Sequence, residues 1–206
     1  MDKKNGSQRQ VSVEALKAGD RAEFALFVEN YSPAIYRLGL RMLGNEQDAE
    51  DILQDTFIKA FQHIQEFEGR SLLSTWLYRI ATNEALMLLR KRRPDTVSVE
   101  EPIDNDEDSL QEPLQILDWT NLPEDELLST EMRAYMKQAV EQLPDSLRIT
   151  FILREIEDLS TQETAQVLNI SEAAVKTRLS RARLLLREEL SSYYEERVKG
   201  SVYGAQ

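Results

Sequence analysis

The 206-residue chain has no cysteine and one histidine, His63. Without thiols it can form no disulfide, thiolate nucleophile, iron–sulfur cluster or cysteine zinc site. A single imidazole is too few for a histidine metal cage and a poor start for a Ser-His-Asp triad. No apolar run approaches the roughly 18 residues of a membrane span. Residues 1–10 are polar and lack the apolar core of a signal peptide, so a cytoplasmic location with no membrane insertion is expected. Glycine (7) and proline (6) are sparse, and four of the prolines, Pro94, Pro102, Pro113 and Pro123, fall in one stretch. What remains is 41% hydrophobic, enough for at least part of the chain to fold. The length allows one large domain or two of roughly 80 residues each.

Charge divides the chain more sharply than hydropathy. The net charge of −12 first suggests a protein that avoids nucleic acid. Residues 1–94, however, carry 14 basic and 13 acidic groups, and residues 132–206 carry 11 of each. Residues 95–131 carry 13 acidic groups and no basic one, so the middle supplies all the acidity. Prolines and missing periodicity mark 95–123 as an acidic linker, with apolar residues from Leu114 to Leu122 gathered around Trp119. Two helical domains are expected on either side, over 12–94 and 124–197, in an all-α fold without strands.

In the first domain, Asp20 and Glu23 have capping-box spacing ahead of Phe24, Phe27, Val28 and Tyr31. Ser32-Pro33 reads as the restart of a helix whose stripe is Ile35, Leu38 and Met42, ending at Gly44-Asn45. Ala49, Ile52, Leu53, Thr56, Ala60, Phe61 and Ile64 describe one face of the next helix, and His63 borders that face. Glu68-Gly69-Arg70-Ser71 is a loop, and a last helix runs from about Leu72 to Arg92, with Trp76, Ile80 and Leu88 inward. In the second domain, Leu128, Met132, Met136, Ala139, Val140 and Leu143 form one stripe, and Leu147, Phe151 and Ile152 another after Pro144.

The residues after Leu159 carry the most information. Ser160 and Glu163 form a capping box for a short helix ending near Leu168. Asn169-Ile170-Ser171 is a tight turn, and a long helix follows from Glu172. Such a pair matches a helix-turn-helix unit. Where its helices cross, a small residue is needed, and Ala165 supplies it. Its turn needs a left-handed residue, which Asn169 tolerates. Val175 is spaced to plug the core. From Glu172 to Arg187 the second helix carries a net +4, and Val175, Leu179, Ala182 and Leu186 form its inward stripe. Lys176, Thr177, Ser180, Arg181 and Arg183 lie off that stripe. Cationic and short hydroxyl side chains suit a major groove, where arginine binds guanine bidentately and lysine holds phosphate.

Leu143-Pro144-Asp145-Ser146-Leu147-Arg148, Phe151-Ile152-Leu153-Arg154-Glu155, Ser160-Thr161-Gln162-Glu163-Thr164-Ala165 and the run from Val175 to Arg183 together resemble region 4 of bacterial sigma factors. Asp48-Ala49-Glu50-Asp51-Ile52-Leu53-Gln54-Asp55-Thr56-Phe57 resembles region 2, as does Phe67 to Ser71 followed by Thr75 to Asn83. Two lobes and a linker with no region 3 domain are similar to the extracytoplasmic-function (ECF) group, a likeness that spans roughly 150 residues. The resemblance implies a promoter-specificity subunit of RNA polymerase, not an enzyme, with no cofactor or metal. It implies that Asp51, Gln54 and Asp55 dock on the clamp coiled coil of core RNA polymerase. It implies that Phe67, Gly69, Arg70, Ser71, Arg79 and Asn83 read a minus-ten element of promoter DNA. Arg154, Lys176, Thr177, Ser180 and Arg181 would read a minus-thirty-five element, with Arg178 and Arg183 on phosphates. It also implies an anti-sigma factor as a partner. Trp76, at helical spacing with Ile80, belongs to the core. Two rival readings are a free-standing helix-turn-helix regulator and a helical carboxylate–metal hydrolase built on Asp48, Glu50, Asp51 and Asp55. Those carboxylates do not share one helix face, which counts against the second.

Overall fold

The computed structural model describes residues 10–92 and 130–203, with side chains described from residue 134 to 191 in the second stretch. The expected linker at 95–123, the stripe residue Leu128 and the side chain of Met132 lie outside what is described. All the described elements are helical: α1 (Val13–Lys17), α2 (Arg21–Leu43), α3 (Glu46–His63), α4 (Leu73–Arg92), α5 (Thr130–Gln142), α6 (Asp145–Phe151), α7 (Thr161–Leu168) and α8 (Glu172–Tyr203). A short 3-10 turn, Ile64–Glu66, follows α3, and a π-helical turn, Ile152–Ile156, follows α6.

The chain divides into two compact units. One holds residues 1–97 with 152–175, and the other holds 98–151 with 176–206. In the first, α2, α3 and α4 pack around Phe27, Ile35, Leu38, Ile52 and Leu77, all buried. Gly39 permits a close approach of α2 to α3: a Cβ there would lie 3.2 Å from the Ala49 Cα. Asp20 caps α2 by accepting from the Ala22 and Glu23 amides. The Glu23 carboxylate does not reach back to complete a capping box; it accepts from the Ser12 amide at 2.6 Å and so ties α1 to α2.

Pro33 departs from the sequence reading, because no second helix starts there. It sits inside one continuous 23-residue helix, and the Ser32 hydroxyl bonds to the Val28 carbonyl at 2.6 Å, within the same helix. Proline removes one amide donor from the ladder. Buried Phe27 and Ile35 on either side hold the helix against its neighbours across that gap. The helix then ends at Gly44, which is left-handed with φ 70°.

The core of the second unit is Ala139, Leu143, Phe151, Leu179, Ala182 and Leu186, with Val140 and Leu147 packed on it. Arg148 joins α6 to α5 by bonding to Asp145 at 2.7 Å and to the Glu141 carbonyl at 3.1 Å. Three of the four inward positions expected of α8, Leu179, Ala182 and Leu186, are buried within this unit.

Candidate polymerase and nucleic-acid interfaces

Three surfaces carry the residues singled out from the sequence, and the first lies on α3. Its N-cap Asn45 accepts from the Asp48 amide, and Ala49, Ile52, Thr56 and Ala60 turn inward. That orientation leaves Asp51, Gln54 and Asp55 exposed together, at offsets of one helical turn. The same face continues into Ile58 and Phe61, which are 45% and 60% exposed. Phe61 is therefore not the core residue its spacing suggested. Its ring meets Phe24 edge-on at 5.1 Å, at the rim of a groove of about 480 Å³ lined by Val28, Leu53, Gln54 and Phe57. The buried apolar arc of α3 ends at Phe57, and Phe61, about 40° further round the helix, falls outside it. Ile58 is an aliphatic residue off the inward stripe, and its exposure extends this face. Asp48 belongs to none of this: it is buried and receives Arg92 bidentately at 2.5 and 2.6 Å. That pairing engages the Arg92 guanidinium, while Arg90 and Lys91 beside it are exposed.

The second surface comprises the loop before α4 and the outer face of that helix. Gly69 has φ 71°, a left-handed conformation that glycine adopts without strain. Arg70 pairs with Glu68 at 2.7 Å, and both are exposed, so the pair adds little stability. Phe67 does not share this exposure. It is 6% exposed and its ring lies 5.4 Å from that of Trp76, which is itself buried, as expected for a core tryptophan. Phe67 thus supports the loop from beneath and offers no free ring to a base. Arg79 and Asn83 stand exposed one turn apart on α4, while Ser71 is half-buried.

Also in this unit, Tyr78 donates to Glu157 at 2.8 Å, and Glu157 also pairs with Arg41. Burial, reinforced by the Glu157 charge, raises the Tyr78 phenol far above its usual range and keeps it a donor. Thr75 bonds to Glu163 at 3.2 Å.

The third surface belongs to the helix-turn-helix. Both halves of the Ser160/Glu163 capping box form, at 3.1 and 2.8 Å. Asn169 is left-handed with φ 55° and ψ 46°, and its amide bonds back to Ala165. Ala165 and Val175 are buried, as the motif requires. The Ser160 hydroxyl and amide, then Thr75, hold the Glu163 carboxyl below the usual glutamate range. A group with a lowered folded pKa stabilises the fold above its unfolded pKa and ceases to as pH falls through the folded value. Ser160→Ala is expected to cost about 1 kcal/mol at neutral pH. That difference should narrow in denaturation midpoints taken as pH falls below the glutamate range.

Along α8, Lys176, Thr177, Ser180 and Arg181 are exposed and Arg178 and Arg183 are half-buried. Arg154 differs from this set. It sits in the π turn and donates to the Leu159 carbonyl, so it braces the bend that leads into α7.

These arrangements agree with what the chain is related to. Residues 27–94 match the Sigma-70 region 2 family and residues 133–186 match Sigma-70, region 4. The ECF RNA polymerase sigma factor SigW of Bacillus subtilis is 40% identical over 178 residues, 86% of this chain and 94% of its own. The RNA polymerase sigma-H factor of Pseudomonas aeruginosa is 34% identical across 92% of this chain and 97% of its own. The chain belongs to the ECF RNA polymerase sigma factors. Among solved structures, the sigma factor RpoE of Bartonella quintana, in complex with the anti-sigma factor NepR, aligns with a TM-score of 0.58 at 26% identity, over 82% of this chain and 97% of that one. CnrH, in complex with the cytosolic domain of CnrY, shares the fold, with a TM-score of 0.62 at 24% identity over 87% and 95% of the two chains. Sigma factors are transcription initiation factors rather than enzymes. Among the described residues no helix is long and apolar enough to cross a membrane.

Proposed function

We propose that this chain binds core RNA polymerase through the exposed face of α3, directs it to promoters carrying minus-ten and minus-thirty-five elements, and works in the cytoplasm. The observation that carries the reading is Asp51, Gln54 and Asp55 standing exposed together on one face while α8 presents a separate cationic face in the same chain. An acidic head on α3 suits a basic coiled coil and speeds encounter with it. The apolar foot at Ile58 and Phe61 supplies area to bury. The loop at Gly69, Arg70 and Ser71, together with Arg79 and Asn83 on α4, receives an unstacked minus-ten base. Asparagine suits that role because its amide offers a donor and an acceptor together. Extruding a base costs a few kcal/mol, which pocket contacts must offset. Thr177, Ser180 and Arg181 read the minus-thirty-five duplex, and Lys176 contacts a phosphate beside them. The half-buried Arg178 and Arg183 flank them on phosphates, and Arg154 positions the turn.

The two functional domains in this reading are 12–94 and 124–197, joined by the acidic segment 95–123. An anti-sigma factor is the expected inhibitor, since RpoE of Bartonella quintana has one and is similar over most of this chain. A response to stress or to envelope damage fits such control.

The test is affinity for core polymerase. Gln54→Ala combined with Asp55→Ala is expected to weaken association about tenfold, mostly through slower encounter, and the loss should shrink with salt. The double variant should keep the helical circular-dichroism signal of the parent. Unchanged affinity would overturn the α3 assignment. Tight binding to duplex DNA with no polymerase association would instead favour a free-standing regulator.

A further inference from the structure

We propose that Met87 reads a thymine methyl group at the upstream edge of the minus-ten element, an inference that rests on the assignment of Arg79 and Asn83 to promoter DNA. One exposed methionine by itself is ordinary. Its setting is not. The other aliphatic side chains of α4, from Leu73 to Leu89, are buried or half-buried, whereas Met87 is 54% exposed. It follows Arg79 and Asn83 at successive four-residue steps, and Arg90 comes three residues later, all exposed. At 3.6 residues per turn these four positions fall within an arc of about 80°. A single stripe of α4 therefore runs from cation to amide to thioether to cation. Among the described residues, those one turn from Met87 on α4, Asn83, Glu84, Arg90 and Lys91, are all polar or charged.

The chemistry of the stripe assigns its parts. Arg79 and Arg90 carry charge for phosphates at the two ends. Asn83 presents a donor and an acceptor to a base edge. Met87 presents neither a donor nor a useful acceptor, so it cannot satisfy the cytosine amino group or the guanine carbonyl oxygen. Placing it against either would bury an unpaired polar group. The thymine C5-methyl is the one apolar feature in the major groove, and apolar side chains read it. A flexible thioether adapts to it without exact register. Met87 lies about 6 Å along the helix axis from Asn83. Asn83 faces the unstacked base, so the target of Met87 is a neighbouring base pair on the upstream, still stacked side.

Uracil differs from thymine only by that methyl. Holoenzyme assembled from the full chain is measured on a promoter recovered by start-site sequencing, with each thymine of the minus-ten region replaced singly by uracil. Wild-type protein is expected to lose about fourfold in affinity at one thymine, the weight of one buried methyl group. Met87→Ala should bind the thymine and uracil probes alike, and Met87→Leu should restore the preference. The proposal is overturned if no single uracil weakens wild-type binding, or if Met87→Ala keeps the preference. Arg79→Ala combined with Asn83→Ala tests the face itself. If promoter opening survives that double change, the broader assignment of α4 fails; if opening is lost while uracil is tolerated everywhere, only the methyl reading fails.

Discussion

Phe27→Ala is expected to destabilise the first unit by about 3–5 kcal/mol, a cost typical of truncating a buried aromatic. Phe27 is completely buried, and its ring meets Phe24, Tyr31 and Phe57 at 5.8, 5.2 and 5.5 Å. Removing it takes away apolar burial and three tilted or edge-to-face ring contacts and leaves a cavity between α2 and α3. Phe57 and Phe24 also line the groove beside Gln54. Polymerase affinity should therefore fall together with the denaturation midpoint, in contrast to Gln54→Ala with Asp55→Ala, which should lower affinity alone. Urea denaturation followed by circular dichroism measures the first effect, and a loss under 1 kcal/mol would mean that the core does not depend on this ring.

Two changes on α8 are expected to behave differently from one another. Arg181→Ala should cost about 1–3 kcal/mol on the preferred minus-thirty-five sequence and relax discrimination at one base pair. Lys176→Ala should weaken binding almost uniformly across sequences and make the logarithmic salt dependence shallower by about one phosphate contact. Both side chains are exposed, while the inward positions Leu179, Ala182 and Leu186 are buried, so neither change should disturb folding. Titrating holoenzyme on promoters varied in the minus-thirty-five element, at several salt concentrations, separates the two. Identical behaviour of the two variants would remove the base-reading role from Arg181.

How much of this was legible in the residues differs by element. Caps and turns could be read because one side chain decides each: Ser160 and Glu163 for α7, Asn169 for the turn, Gly44 for the end of α2. The inward stripe of α8 could be read because its period is clean. Four features could not. Pro33 marks a break locally, yet packing on both sides carries α2 through it. Phe61 has the right spacing for the core, but spacing alone does not say where the buried arc ends. Phe67 belongs to a motif whose likeness implies base contact, and only its burial against the tilted ring of Trp76 reveals its supporting role. The π turn at Ile152–Ile156 has no recognisable signature at all, and it is what turns Arg154 toward the Leu159 carbonyl.

The central claim is that one chain gives core polymerase its promoter choice through two separate faces. Sequencing the transcript starts made by core polymerase plus this protein from a genomic promoter pool tests it most directly. The account predicts new starts preceded by two elements at fixed spacing. Asn83→Ala should alter the downstream element alone and Arg181→Ala the upstream element alone. New starts absent altogether, or both variants altering the same element, would contradict it.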